Sequence, residues 1–255
     1  MNSPYRKRRT VKEQAIEFIN VSKSFERGAV QAVVDLSLSV GRGEVFGLIG
    51  PNGAGKTTSL KLLAGILKPD KGEIRCLGVS SAREPLRVRG MTGYAGAEPL
   101  LYERMTGFQF LGFIARMYRI DRKEALRRID ELAGRFSLRE QLPEQIASYP
   151  YGVKQKLSLT AVFLHEPDVV ILDEPFNGLD PMALSALIES LKTLVRAHAT
   201  VFLSSYLMDL VEKVCTRVGV LRRGTLLAAD KIFRLKRQGG VRRATLEEAF
   251  VELVK

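Results

Sequence analysis

Nine consecutive residues, Gly50-Pro51-Asn52-Gly53-Ala54-Gly55-Lys56-Thr57-Thr58, have the types and spacing to hold a phosphate. They fit G-x-x-x-x-G-K-[ST], the Walker A pattern. Glycines let the backbone turn its N–H groups inward around an anion. Lys56 is expected to reach the β- and γ-phosphates, and the Thr57 hydroxyl to sit on Mg²⁺. Asn52, Gly53, Ala54, Gly55, Lys56, Thr57 and Thr58 are the candidate nucleotide-binding positions. A second acidic feature is Asp173-Glu174, which closes the apolar run Val169-Val170-Ile171-Leu172. Such a run reads as a strand buried on both faces, with carboxylates at its C-terminal edge, where open α/β sheets bind ligands. Asp173 is the candidate metal residue, holding Mg²⁺ through water. Glu174 is the candidate general base, orienting an attacking water.

Both features need positioning elements, and the sequence supplies them. Glu44 to Ile49 reads as a buried strand before the glycine loop, and Ser59 to Ala64 is rich in helix formers after it. Strand, loop and helix give a helix N-terminus pointing at the anion. Ile16 to Phe25 and Ala32 to Val40 read as earlier strands, and Glu73 to Gly78 as a later one. The first helix is expected to stop near Lys68-Pro69-Asp70-Lys71-Gly72, and Met91 to Tyr94 is read as a strand. From Met105 to Phe136 the period becomes helical. Phe108, Leu111, Gly112, Ala115 and Tyr118 form one apolar stripe, and Ala125, Ile129, Leu132, Ala133 and Phe136 the next. Tyr149-Pro150-Tyr151-Gly152 ends this region, and Lys154 to Leu164 is another amphipathic helix. Beyond the acidic strand come a helix from Pro181 to Arg196, a buried strand Thr200 to Ser205 and a short helix Leu207 to Val214. A hairpin about Arg223-Gly224 follows, then a helix from Thr245 to Val254 that opens on a capping-box pattern.

Composition bounds the function class. The 255 residues are 45% hydrophobic and 27% charged, which suits one large globular domain. No run approaches the ~18 apolar residues of a membrane helix. The N-terminus, with Tyr5-Arg6-Lys7-Arg8-Arg9, carries no apolar signal segment, so the expected location is cytoplasmic. The net charge of +12 is dispersed over sites such as Arg122-Lys123, Arg127-Arg128 and Arg222-Arg223. It reads first as a solvated surface and second as affinity for an acidic leaflet. No nucleic-acid partner is expected, since no helix-turn-helix, finger or stacking motif is present. Cys76 and Cys215 form no C-x-x-C pair and are expected as free thiols. His165 and His198 read as ordinary residues rather than ligands.

The glycine loop, Ile171-Leu172-Asp173-Glu174-Pro175 and Asn177-Gly178-Leu179-Asp180-Pro181 together resemble the nucleotide-binding subunit of an ABC transporter. The resemblance runs from about Ile16 to the C-terminus. Glu44 to Gly50 and Leu246-Glu247-Glu248-Ala249-Phe250 resemble its ABC-2 exporter branch. It implies an α/β fold: a P-loop NTPase core with a mixed, largely parallel sheet, an N-terminal antiparallel β subdomain and an inserted α-helical subdomain. The implied layout is a basic arm over residues 1–14 and an ABC ATPase domain over 15–255. The helical insertion falls at about 98–165, and the closing hairpin and helix at about 217–255. Phe25 falls where the family stacks an aromatic on adenine, and Asp180 where a loop communicates across the dimer. The implied cofactors are ATP and Mg²⁺. The implied partners are transmembrane permease subunits and a second ATPase subunit, which places the chain on the inner face of the plasma membrane.

Three positions depart from the family pattern. Ala97 stands where a glutamine is usual, with Glu98 beside it. Pro150-Tyr151-Gly152-Val153 replaces the usual Ser-Gly-Gly-Gln. Tyr206 stands where a histidine is usual, and a phenol cannot carry an imidazolium charge at pH 7. A hydrogen bond to a charged group is worth roughly 1.5–3 kcal/mol, so losing signature donors to the γ-phosphate slows a site by about a hundredfold or more. The expectation is tight Mg-ATP binding with weak or asymmetric hydrolysis, in a heterodimer with a more regular subunit rather than a homodimer. Two rivals remain at this level: a nucleotide-binding regulatory or scaffold subunit, and a soluble ABC ATPase acting outside transport.

Overall fold

The computed structural model describes residues 14–238 and 245–254. All but the last residue of the basic arm expected at 1–14 lies outside them. In chain order the strands are β1 (Gln14–Phe25), β2 (Val30–Gly41), β3 (Val45–Ile49), β4 (Lys71–Cys76), β5 (Val79–Ser80), β6 (Thr92–Ala95), β7 (Val169–Asp173), β8 (Thr200–Ser205), β9 (Arg217–Arg222) and β10 (Thr225–Lys231). The helices are α1 (Lys56–Leu63), α2 (Pro85–Met91), α3 (Gly107–Met117), α4 (Arg122–Arg135), α5 (Tyr151–Leu164), α6 (Pro181–Arg196), α7 (Met208–Val214), α8 (Ile232–Gln238) and α9 (Leu246–Val254).

Two sheets organise these elements. One is antiparallel, in the order β2-β1-β4-β5. The other runs β10-β9-β3-β8-β7-β6, with β9, β3, β8, β7 and β6 parallel and β10 antiparallel at the edge. The period-2 pleat sorts each parallel strand between two cores. Phe46 and Leu48 of β3, Val169 and Ile171 of β7 and Phe202 of β8 face α1 and the antiparallel sheet. Val45 and Ile49, Val170 and Leu172, and Val201 and Leu203 face the other way, toward α3 to α7. Both faces are covered, which is why these strands read as unbroken apolar runs. The Phe202 ring lies between those of Phe46 and Phe18, at centroid distances of 5.5 and 5.9 Å, and so joins the two sheets.

Three sequence expectations shift, and two further helices appear. The first helix stops at Leu63, well before Pro69. Gly65 turns the chain there with φ of +65°, a left-handed conformation that glycine adopts without strain. The apolar face of α3 is Gly107, Phe110, Leu111 and Ala115, while Phe108 and Tyr118 stay substantially exposed. The Thr106–Gln109 capping box fixes the helix start and sets that phase. Helix α5 begins at Tyr151, with Pro150 as its N-cap, so the two residues read as a terminator lie at the mouth of a helix. Helices α2 and α8 carry no strong period in seven residues each, and α2 is announced only by Pro85 at its first position. Both cysteines are free and buried. Burial pushes the Cys76 thiol up to about 12 and Cys215 higher still.

Candidate functional site

The glycine loop joins β3 to α1 at the C-terminal edge of the parallel sheet. Gly55 has φ of +102°, and a Cβ there would lie 2.1 Å from the Ala32 carbonyl oxygen of β2. Only glycine lets the loop pass so close to that strand. No side chain caps the N-terminus of α1, which leaves its first-turn N–H groups to a ligand. Lys56 is buried with only 7% exposure. Its ammonium donates to the Gly50 carbonyl at 2.8 Å and to that of Pro51 at 3.3 Å. Thr57 is exposed at the loop's mouth.

The acidic pair reaches the same place from β7, which lies one strand away from β3 across β8. Lys56 Nζ is 3.6 Å from Glu174 Oε1. Asp173 is buried, and its Oδ1 accepts a hydrogen bond from the Ser204 hydroxyl of β8. The other oxygen, Oδ2, is buried with no partner. Glu174 turns off the strand with φ of +46°. Its N–H donates to both the Ser204 carbonyl and hydroxyl, at 3.2 and 3.1 Å. Its Oε2 accepts from the Tyr206 N–H at 3.2 Å. Burial pushes the Glu174 carboxyl above the usual 4.5, opposed by the nearby Lys56.

Oxygen donors dominate this edge, and hard divalent cations take oxygen ligands. The unpartnered Asp173 oxygen and the exposed Thr57 hydroxyl fit a Mg²⁺ ion. Among the described residues no cluster of three or more His, Cys, Asp or Glu could cage a metal by itself.

The departures have distinct surroundings. Tyr151 lies over Gly178, where a Cβ would meet its ring carbons at 2.4 Å. Its hydroxyl donates to the Ala97 carbonyl at 2.9 Å. Burial, Glu98 and Tyr206 all push that phenol's pKa up, so Glu98 faces this cluster. The Tyr206 hydroxyl donates to Asn177 Oδ1 at 3.2 Å. Asp180 pairs with Lys156 at 2.5 Å and caps α6 through the Ala183 N–H. Phe25, at the end of β1, is 38% exposed and pairs in register with Val30, two residues from Ala32. It stands on the strand pair that touches the glycine loop.

Two residues of this site escaped the sequence reading. Ser204 bridges Asp173 to the Glu174 backbone, and its only signal was a hydroxyl inside the apolar run Thr200 to Ser205. Gln155, fully buried in α5, donates to the Pro175 carbonyl at 3.3 Å and so ties α5 to the turn after Glu174.

Known proteins resemble this chain in sequence and in fold. A family profile described as "ABC transporter" matches residues 33–177. The chain is 34% identical over 215 residues to the ABC transporter ATP-binding protein NatA of Bacillus subtilis (strain 168), covering 83% of this chain and 87% of that protein. It is 32% identical over 221 residues to the ABC-type transporter ATP-binding protein EcsA of the same organism, covering 87% and 90%. A solved structure described as the ATP-binding subunit of an ABC transporter superposes with a TM-score of 0.89 at 34% identity, over 94% of this chain and 100% of that one. A dimeric ATP-binding cassette, described as a post-hydrolysis state bound to ADP and Pi, shares the fold with a TM-score of 0.77 at 19% identity, over 85% and 98%.

Proposed function

Because the chain belongs to the ABC transporter family of ATP-binding proteins, we propose that it binds Mg-ATP at the edge of its parallel sheet and drives export through separate membrane subunits. The convergence of Lys56 and Glu174 at 3.6 Å carries this reading, since it brings the phosphate loop and the acidic strand end to one point.

Each residue then has a task. Lys56 exchanges its two carbonyl partners for β- and γ-phosphate oxygens, while α1 presents its uncapped N–H groups to the same anion. Phe25 stacks on the base. Thr57 and Asp173 would hold Mg²⁺, which supplies charge neutralisation at the phosphates. Ser204 keeps Asp173 oriented. The raised Glu174 carboxyl, aimed by Tyr206 and Ser204, aligns the water and accepts its proton.

Turnover by this chain alone is slow. Tyr206 and Tyr151 direct their hydroxyls to Asn177 and Ala97 of the same chain, which supports weak hydrolysis and a heterodimer with a more regular subunit. The same ties favour a second reading, a nucleotide-sensing subunit that closes with little turnover. The membrane subunits dock in the groove between β6 and α3, lined by Tyr94, Leu100, Phe110, Ile114 and Tyr118, and hold the chain at the inner face of the membrane.

Purified chain, alone and with co-purified partners, tests this. The expected result is tight Mg-ATP binding, slow hydrolysis alone, faster hydrolysis in the assembly and a rise on Tyr206→His. Rapid turnover by the isolated chain overturns the heterodimer reading. Equally slow turnover in the complete assembly favours the nucleotide-sensing subunit.

A further inference from the structure

The end of β1 is held by a loop carboxylate. Asp70, just before β4, accepts from the Ser24 N–H at 2.7 Å and the Ser24 hydroxyl at 2.8 Å through Oδ2. Its Oδ1 accepts from Lys23 Nζ at 2.7 Å. Its own N–H donates to the Ser22 carbonyl at 2.8 Å. Three consecutive residues are therefore tied to one aspartate, and the next residue is Phe25.

The sheet pairing of this strand end is interrupted just before it, and resumes at Ser24 opposite Gln31 and Phe25 opposite Val30. The β1–β2 ladder slips between Val21 and Lys23 and again between Lys23 and Ser24, and the β1–β4 ladder ends at Ser22 opposite Lys71. A slipped ladder lets the chain bend at Lys23, and Asp70 holds that bend from the side opposite β2 through Lys23 and Ser24. Lys23 adds a second constraint. Its ammonium, held by Asp70, lies 5.7 Å from the centroid of the Phe25 ring, within reach of a cation–π attraction. Phe25 keeps open surface, and β2 carries this strand pair against Gly55 of the glycine loop. An aromatic platform on which a base stacks needs a fixed distance from the loop that binds the phosphates.

The geometry points to Asp70 as a positioning residue for the nucleotide base: through Lys23 and Ser24 it holds the Phe25 ring in place beside the strand pair that touches the phosphate loop. This inference rests on base stacking by Phe25, as given under the proposed function.

The test compares ATP with inorganic tripolyphosphate, which has the phosphates but no base. Asp70→Ala is expected to weaken ATP binding about tenfold, the scale of one lost base–aromatic stack. Tripolyphosphate binding stays within about twofold, since its contacts lie on the loop. KM for ATP rises while kcat at saturation holds. In a Phe25→Ala background, Asp70→Ala adds nothing further. Equal losses for both ligands, additive losses in the double variant, or no ATP effect where Phe25→Ala has one would each overturn the role of Asp70. A Phe25→Ala variant with unchanged ATP affinity would instead sink the stacking reading, and the inference with it. If Asp70→Ala fails to fold, Lys23→Met with Ser24→Ala removes the two side-chain ties, keeps the one from the Ser24 N–H, and carries the comparison with a smaller expected loss for ATP.

Discussion

Glu174 holds three unusual conditions at once: a left-handed backbone, a half-buried carboxyl and a lysine 3.6 Å away. A carboxyl whose folded pKa is raised favours folding below its unfolded value near 4.5, and that contribution disappears as pH rises through the folded pKa. Glu174→Gln therefore removes a desolvated charge, and thermal unfolding at pH 7 is expected at the same or a higher temperature. Hydrolysis by the same variant should fall by about 10²–10⁴-fold, the usual scale of a general base, with ATP binding retained. In the parent protein the acid limb of the pH–rate profile should lie above 4.5, and an activity titration checks it. At this scale the sequence allowed Lys56, Thr57, Asp173 and Glu174 to be picked out, because a motif fixes residue types at fixed spacing. Ser204 and Gln155 could not be found that way, since a buried polar group is marked by its partners, which lie 31 and 20 residues off along the chain.

Elements were legible where their period was long and their ends chemically marked. The acidic strand β7 showed itself by four apolar residues and a carboxylate. Helix α9 showed itself by a capping box that the Thr245 and Glu248 hydrogen bonds complete. The stripe expected for α3 holds at Leu111 and Ala115, while Gly107 and Phe110 take the buried places expected of Phe108 and Gly112. Pro150 and Tyr151 close the region before α5 and also open that helix, three residues ahead of the expected start at Lys154. Tyr151 ties the mouth of α5 to the loop after β6 and to Gly178. Tyr151→Phe keeps the ring and deletes only the bond to Ala97. The cost in stability should stay near 0.5–1.5 kcal/mol, the net value of one hydrogen bond. Amide exchange should speed up around residues 95–99 and leave β7 unchanged, as hydrogen–deuterium exchange would show.

At the scale of the molecule, two cores share one sheet, and Phe202 is one of the side chains that join the antiparallel layer to it. Phe202→Ala should cost about 3–5 kcal/mol, as for a large aromatic truncated in a packed core. Urea unfolding followed on both layers should still show one transition, shifted to lower denaturant. Two separated transitions would show that the layers fold as independent units. The strand classes were readable from apolar runs and alternation. Their order was not, because nothing local in Val45 to Ile49 says that its neighbours are strands β8 and β9. Parallel pairing is a relation between distant segments, and a single sequence carries no direct record of it.

That order has a consequence for how the protein is made. Both sheet neighbours of β3 begin at Thr200 or later. At about 5–20 residues per second, the ribosome takes roughly 8–30 seconds after completing β3 to deliver β8. Throughout that interval the nascent chain carries Val45-Phe46-Gly47-Leu48-Ile49, the strand that leads into the phosphate loop, with no partner strand beside it. The nucleotide pocket is thus begun early in synthesis and closed late, and until then its leading strand depends on the shelter of the growing chain or of a chaperone.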